Sequence, residues 1–315
     1  MTDTNHSCLE IVLRTLVYYD IFDYPLLESD IFENCKLHHL ELQECSRVLN
    51  QLNKQGVIYK IGDYYSLKSD PEHVKKRVIG NQLAEKWMPK AKRFSWIISA
   101  FPYVRGISLS GSLSKGFIGD DPDIDYFIIT KPNRLWLTRT MLVAFKKLFL
   151  LNSYKYFCVN YFIDTESLEI EDKNLFTATE LTTMIPVYGG SVKKEFFQSN
   201  YWVKDFFPNY KIDNLEKIPE KSGIIKKSME YIFNGRLGDK LDDYFMHVTV
   251  KHWSKKFRKK YPKKEFDLVF RSRKNISKHH PRNFQKIVLD EFNRKMDEII
   301  AKHKLTFKSE SVVLD

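Results

Sequence analysis

The chain has 315 residues, a length typical of two ordinary domains of about 150 residues each. Its 43% apolar residues suffice for a packed core, and 12 Gly and 11 Pro are too few for collagen-like repeats or global disorder. The net charge is +11, and residues 251–310 alone hold 19 Lys/Arg against 7 Asp/Glu. This basic C-terminal region indicates either a polyanionic partner or a solvated, lysine-rich helical surface.

Cysteine usage and the N-terminus bear on where the protein works. The four cysteines form no C-x-x-C pair and complete no zinc-type spacing, so we interpret them as buried or free thiols. The first residues lack the charged and apolar regions of a secretory signal, and no later run approaches the ~20 apolar residues of a membrane span. The sequence therefore predicts a cytoplasmic protein that does not engage a membrane.

The first 70 residues predict three short helices followed by a β-hairpin. The first helix ends near Pro25, the second begins after Leu27, and the third runs from about His39 to Gln55. Two strands, 57–60 and 64–67, then enclose a turn. This order resembles a winged helix-turn-helix domain. Because the third helix has balanced charge, we favour a structural or protein-contacting role over DNA binding.

The following segments alternate between strands and helices. A long helix is predicted over 71–100, strands over 104–110, 123–130 and 155–163, and helices over 135–150, 178–188 and 193–206. A linker containing Pro208 and Pro219 leads to a basic helical remainder from about Ser222, with a loop around 275–281. The predicted fold class is α+β, with a small mixed sheet flanked by helices. The expected domains are 1–70, 71–207 and 208–315.

A Gly-Ser turn followed by two aspartates is the pattern that indicates a metal-binding site. The sequence SLSGSLSKG at 108–116 precedes a polar loop and then DIDYFII at 123–129. Alternation along the strand places Asp123 and Asp125 on one face. Paired carboxylates repel unless a cation lies between them, and oxygen ligands suit Mg²⁺, which takes further ligands from substrate phosphates.

The turn offers a matching phosphate site. Gly111 allows a close approach of the backbone, Ser112 offers a hydroxyl, and the start of the next helix offers amide donors. Lys115 adds a positive charge in the same turn. The pattern therefore predicts a nucleotide site that depends on a divalent metal.

The Gly-Ser pair, the ten-residue spacer 113–122 and the Asp-Ile-Asp motif resemble the nucleotidyltransferase signature of the DNA polymerase beta superfamily. The resemblance covers roughly residues 100–190. It implies that Gly111 and Ser112 hold the triphosphate of an NTP, and that Asp123 and Asp125 bind Mg²⁺ or Mn²⁺. Further substrate-binding candidates in the same turn are Ser114 and Lys115.

The sequence departs from the family at the third carboxylate, which is expected on a later strand. The matching position holds Asn160, and the nearest acid is Asp164, four residues on in the same alternation phase. An amide oxygen can ligate a metal, but it cannot take the proton of an attacking hydroxyl. Either Asp164 or an acid elsewhere substitutes, or the chain binds nucleotide with weak or no transfer.

The resemblance thus implies a metal-dependent nucleotidyltransferase that moves a nucleoside monophosphate from an NTP to an unidentified acceptor hydroxyl. The basic C-terminal region is a candidate surface for a nucleic-acid or other polyanionic acceptor. The alternative is a catalytically weak or inactive regulator that binds nucleotide, or binds nucleic acid through the winged helix. We interpret His279-His280-Pro281 as a surface loop, because no third ligand lies at a useful spacing.

Overall fold

The structure, a computed structural model, describes residues 2–35, 41–208, 210, 215–220 and 223–305. Its N-terminal module comprises α1 (Thr2–Asp20), β1 (Leu26–Leu27), α2 (Glu28–Asn34), α3 (Leu42–Lys54), β2 (Tyr59–Ile61) and β3 (Tyr64–Ser66). Strands β2 and β3 form an antiparallel hairpin, and β1 pairs with the other edge of β3. The predicted order of three helices and a hairpin is confirmed, and the predicted start of the third helix at His39 lies outside the described residues.

The central region follows the long helix α4 (Pro71–Ser99), whose first turn is capped by the Asp70 carboxylate accepting from the Glu72 amide. Its elements are β4 (Val104–Ser110), α5 (Gly111–Ser114), β5 (Asp125–Thr130), α6 (Leu135–Phe149), β6 (Cys158–Asp164), α7 (Leu175–Thr183), β7 (Ile185–Tyr188) and α8 (Gly190–Ser199). The prediction of one helix over 178–188 is wrong, because its second half, Ile-Pro-Val-Tyr, pairs with β4 as an edge strand, a position that tolerates proline.

The C-terminal part contains more than helices. After two short 3-10 helices, Tyr201–Asp205 and Leu215–Lys217, the elements are α9 (Ile224–Ile232), α10 (Arg236–Phe257), a 3-10 turn (Arg258–Lys260), α11 (Lys263–Val269), β8 (Ser272–Arg273), β9 (Ile276–Lys278) and α12 (Phe284–His303). The predicted loop around 275–281 therefore contains a strand, since β9 pairs with β6. No helix in the described part of the chain has the length and apolar composition that a membrane crossing requires.

The six-stranded sheet has the order β7-β4-β5-β6-β9-β8. Only the β5–β6 pair among these neighbours is parallel, so the sheet is mixed and the fold is α+β, as predicted. Tyr126 and Ile128 of β5 pack in a core with α4 and α6, on what we call the α6 face. Phe127 and Ile129 pack with α7 and α8 on the opposite, α8 face.

Helix α12 belongs to the core of the N-terminal module. Its Val288, Phe292 and Met296 are buried among the apolar residues of α1, α2 and α3. The basic region at 208–315 is therefore built into both other parts of the protein, through α12 at one end and through β8 and β9 in the sheet.

Phe292→Ala should lower the free energy of unfolding by about 3–5 kcal/mol, because it leaves a cavity in this shared core. The matched control is Ile287→Ala, on the exposed side of the same helix, which should cost about 0.5 kcal/mol or less. Urea denaturation of both variants measures the difference. Similar small losses in the two would show that α12 adds little to the N-terminal core.

Candidate functional site

Two carboxylates meet at the start of β5. Asp125 is the first residue of the strand. The preceding residue, Ile124, pairs with the segment that leads into β6: its amide donates to Lys155 O at 3.1 Å, and its carbonyl accepts from the Cys158 amide at 3.0 Å. Asp123 and Asp125 consequently project together, as the alternation predicts. One ligand atom from each carboxylate and the Cys158 thiol all lie within 4.8 Å of one another.

Burial and repulsion make both carboxylates hard to ionise. Burial, and then the negative charge of Asp123, raise the pKa of Asp125 to about 7. The pKa of Asp123 is also raised, first by burial and then by the charge of Asp121. The buried Cys158 thiol, its pKa raised by burial and then by the charge of Asp125, is a hydrogen-bond partner of Asp125. A divalent cation would relieve this repulsion, so the donor set fits a metal ion.

The Gly-Ser turn lies directly against this pair. Ser110 is the register partner of Asp125 across the antiparallel β4–β5 ladder. Gly111 has φ +69°, in the left-handed region, and a Cβ placed there would collide with Oδ2 of Asp125. Only glycine satisfies both conditions, so the turn and the carboxylate approach each other as closely as the backbone allows.

Asn160 reaches the site from a bulge in β6, on the same strand face as Cys158. The parallel register pairs Asp125 with Cys158 and Tyr126 with Val159, and then skips Asn160 to pair Phe127 with Tyr161. Alternation from Cys158 directs the Asn160 side chain to the face of the sheet on which Asp125 lies. Its Nδ2 donates to Oδ1 of Asp125 at 3.0 Å and contacts the Cys158 sulfur at 3.5 Å. Asn160 therefore lies beside Asp125, and its hydrogen bond orients that carboxylate.

The structure does not bring the other candidate for the third carboxylate, Asp164, to this pair, because Asp164 lies too far along β6. Asp164 pairs with Thr130 at the other end of the sheet, about 16 Å along the strand from Asp125 at 3.3 Å per residue. The bulge also reverses the alternation phase beyond Asn160, so that Asp164 points to the α6 face. There it is buried and lies near Asp242 of α10.

The remaining residues of the turn are differently placed. Ser112 is exposed at the start of the single-turn helix α5. The Ser114 hydroxyl donates to Gly111 O at 2.9 Å. Lys115 donates to Gly111 O at 3.1 Å and forms an ion pair with Glu180 of α7 at 2.6 Å. Ser112 thus keeps a hydroxyl available for a ligand, whereas the Lys115 charge is already balanced.

Three residues of the site have no counterpart in the sequence analysis. The sequence predicts only a buried or free thiol at Cys158, although its position two residues before Asn160 predicts the same strand face. Glu180 and Arg282 come from distant segments, and their charges act on Asp125 and Asp123 respectively. No local pattern points to either.

His279, expected on a surface loop, is half-buried against Trp253 at 4.7 Å between ring centroids.

No protein-family model matches the chain, and neither a curated protein nor a solved structure matches it. The chemistry must therefore be inferred from these residues and their arrangement.

The raised pKa of Asp125 predicts a pH-dependent penalty on stability. Between pH about 4 and 7 the unfolded chain releases this proton while the native protein keeps it, so native stability falls as the pH rises. Asp125→Asn abolishes this titration. In a chelating buffer, the free energy of unfolding of the variant relative to that of the wild type should rise between pH about 4.5 and 8, by on the order of 1–4 kcal/mol. Urea denaturation across this range is the measurement, and a constant difference would contradict the assignment.

Gly111→Ala should destabilise the protein more than Gly116→Ala. Both glycines have φ near +70°, but a Cβ at Gly116 meets no atom within 4 Å. Gly116→Ala should therefore lower the free energy of unfolding only by the cost of a left-handed backbone, about 1–2 kcal/mol. Gly111→Ala should lower it by about 1–3 kcal/mol more, because the new Cβ collides with Asp125. Adding Asp125→Ala should remove that excess in denaturation experiments. Equal losses in the two single variants would mean that the turn and Asp125 are not in contact.

Proposed function

We propose that this chain is a metal-dependent nucleotidyltransferase with the fold and site of the DNA polymerase beta superfamily. The observation that carries the proposal is the convergence of Asp123 and Asp125 beside the turn at Gly111. Three separate features of the sequence signature, namely turn, spacer and alternating aspartates, come together at one end of a mixed sheet. A structural acidic cluster would not require a glycine turn held against it.

In this proposal Asp123 and Asp125 hold Mg²⁺ or Mn²⁺. When bound, the metal neutralises phosphate charge and orients the NTP. The oxygen of an acceptor hydroxyl attacks the α-phosphorus while its proton passes to solvent water, the bond from that phosphorus to the β-phosphate oxygen breaks, and pyrophosphate leaves. The hydroxyl of Ser112 is available to the phosphates. Asn160 holds Asp125 in place through its 3.0 Å hydrogen bond.

The acceptor proton lacks an obvious recipient among the residues at the third position. Neither the amide of Asn160 nor the thiol of Cys158, with its raised pKa, is a good general base at neutral pH. This observation favours a second candidate, a protein that binds metal and nucleotide but transfers weakly or not at all. The two candidates share one binding site and differ only in turnover.

The N-terminal module supports a winged helix as part of the same proposal. Its three helices are followed by the β2–β3 hairpin, and β1 completes a three-stranded sheet. This module, or the basic residues of 251–310, would bind the polyanionic acceptor or a protein partner.

Mn²⁺ with an NTP should raise the melting temperature of the wild type by roughly 5 °C at about a hundred times Kd. Asp125→Asn should lose most of this gain, because one of two anionic ligands is removed. The control Asp120→Asn changes an exposed carboxylate of the same loop and should keep the full shift. Equal shifts in all three proteins would overturn the metal site.

Turnover is tested separately by incubating the protein with labelled NTPs, Mn²⁺ and candidate acceptors. Release of pyrophosphate that depends on Asp125 supports the transferase. Asn160→Asp should tighten Mn²⁺ binding and increase this release, since it restores a third negative ligand beside Asp125. Binding without release in either protein would favour the nucleotide-binding alternative.

A further inference from the structure

The segment after β9 passes the end of the sheet where the two carboxylates lie. Strand β9 runs antiparallel to β6, with Lys278 opposite Tyr161, and the next amide, that of His279, donates to Asn160 O at 2.9 Å. Antiparallel pairing carries the chain onward toward the start of β6, where Cys158 faces Asp125. Residues 279–282 are thereby led to the candidate site.

This segment is anchored on both sides of Arg282. The His280 amide donates to Val269 O at 3.1 Å, and the Tyr261 hydroxyl donates to Pro281 O. On the other side, Nδ2 of Asn283 donates to Glu265 Oε1 at 2.9 Å. Arg282 therefore extends from a segment that is held by hydrogen bonds on both sides.

The Arg282 guanidinium has no hydrogen-bond or ion-pair partner among the residues that the structure describes. Neighbouring cations differ in this respect, since Lys278 is paired with Asp172 at 2.8 Å and Lys286 with Glu265 at 3.3 Å. The side chain of Arg282 is exposed, and its charge acts on the Asp123 carboxylate. An unpaired arginine at the edge of a carboxylate pair can bind an anion that is itself bound to the metal.

The charge balance of the site identifies that anion. A divalent cation neutralises the two carboxylates, but the β- and γ-phosphates of an NTP bring further negative charge that needs a cation of its own. Lys115, the cation expected from the sequence, is paired with Glu180. Arginine can present two parallel N–H donors to a phosphate, which suits it to this role.

We propose that Arg282 binds the β- and γ-phosphates of the NTP, and so holds the pyrophosphate leaving group. The inference rests on the proposed function, because it requires a metal-bound triphosphate beside Asp123. It assigns a substrate-binding role to the basic C-terminal region, through one residue two positions before α12.

Titration calorimetry with two probes tests this role. The first probe is Mn²⁺ alone, and the second is inorganic tripolyphosphate at saturating Mn²⁺, which avoids any base preference. Arg282→Ala should bind tripolyphosphate about 10–100-fold more weakly, yet bind Mn²⁺ equally or more tightly, because a nearby positive charge is gone. Arg282→Lys should fall between, and the control Lys286→Ala should match the wild type with both probes.

The outcomes distinguish a failure of the proposed function from a failure of the role of Arg282. If the wild type binds no Mn²⁺, or binds it independently of Asp125, the proposed function fails. If Mn²⁺ binds through Asp125 and Arg282→Ala binds tripolyphosphate as tightly as the wild type, only the role of Arg282 is overturned. Parallel weakening of both probes would indicate a structural role instead. Loss of affinity for single-stranded RNA, with tripolyphosphate binding unchanged, would assign Arg282 to the acceptor and also overturn the proposal.

Discussion

The repulsion between Asp123 and Asp125 is the constraint on which the rest of the site depends. Their ligand atoms lie close together in a half-buried position where ionisation is unfavourable. The surroundings counter this in several ways: the Asn160 amide and the Cys158 thiol serve as hydrogen-bond partners of Asp125, and Arg282 adds a positive charge near Asp123. A protein retains such a pair at a cost to its stability, which is the usual condition of a site built for a ligand.

Position along β6, together with its bulge, determines where Asn160 and Asp164 lie. A simple alternation predicts that Asn160 and Asp164 share a strand face. The bulge after Val159 leaves Asn160 on the face of Asp125, whereas Asp164, at the far end of the strand, is buried on the α6 face. Bulges commonly re-aim side chains beside functional sites. An amide and a thiol, rather than a third carboxylate, contact Asp125, so proton transfer there would depend on another group.

The architecture connects the basic C-terminal region to both other parts of the protein. Strands β9 and β8 extend the central sheet beyond β6, and α12 buries Phe292 in the N-terminal core. Between them, the segment that carries Arg282 is fixed at the edge of the candidate site. The proposed phosphate-binding residue Arg282 and the other basic residues of 251–310 therefore occur in the same region, and net charge alone does not distinguish their roles.

Local patterns in the sequence determined most elements of this protein, including the long helix α4, strands β4 and β5 and the Gly-Ser turn facing the two aspartates. These follow from side-chain periodicity and from the backbone freedom of Gly111, which depend on neighbouring residues alone. The tertiary structure decided the rest. The strand identity of β7 and β9, the approach of Arg282 and the exclusion of Asp164 all depend on pairing or packing between segments distant in the chain. Such pairing leaves no periodic signal in either segment by itself.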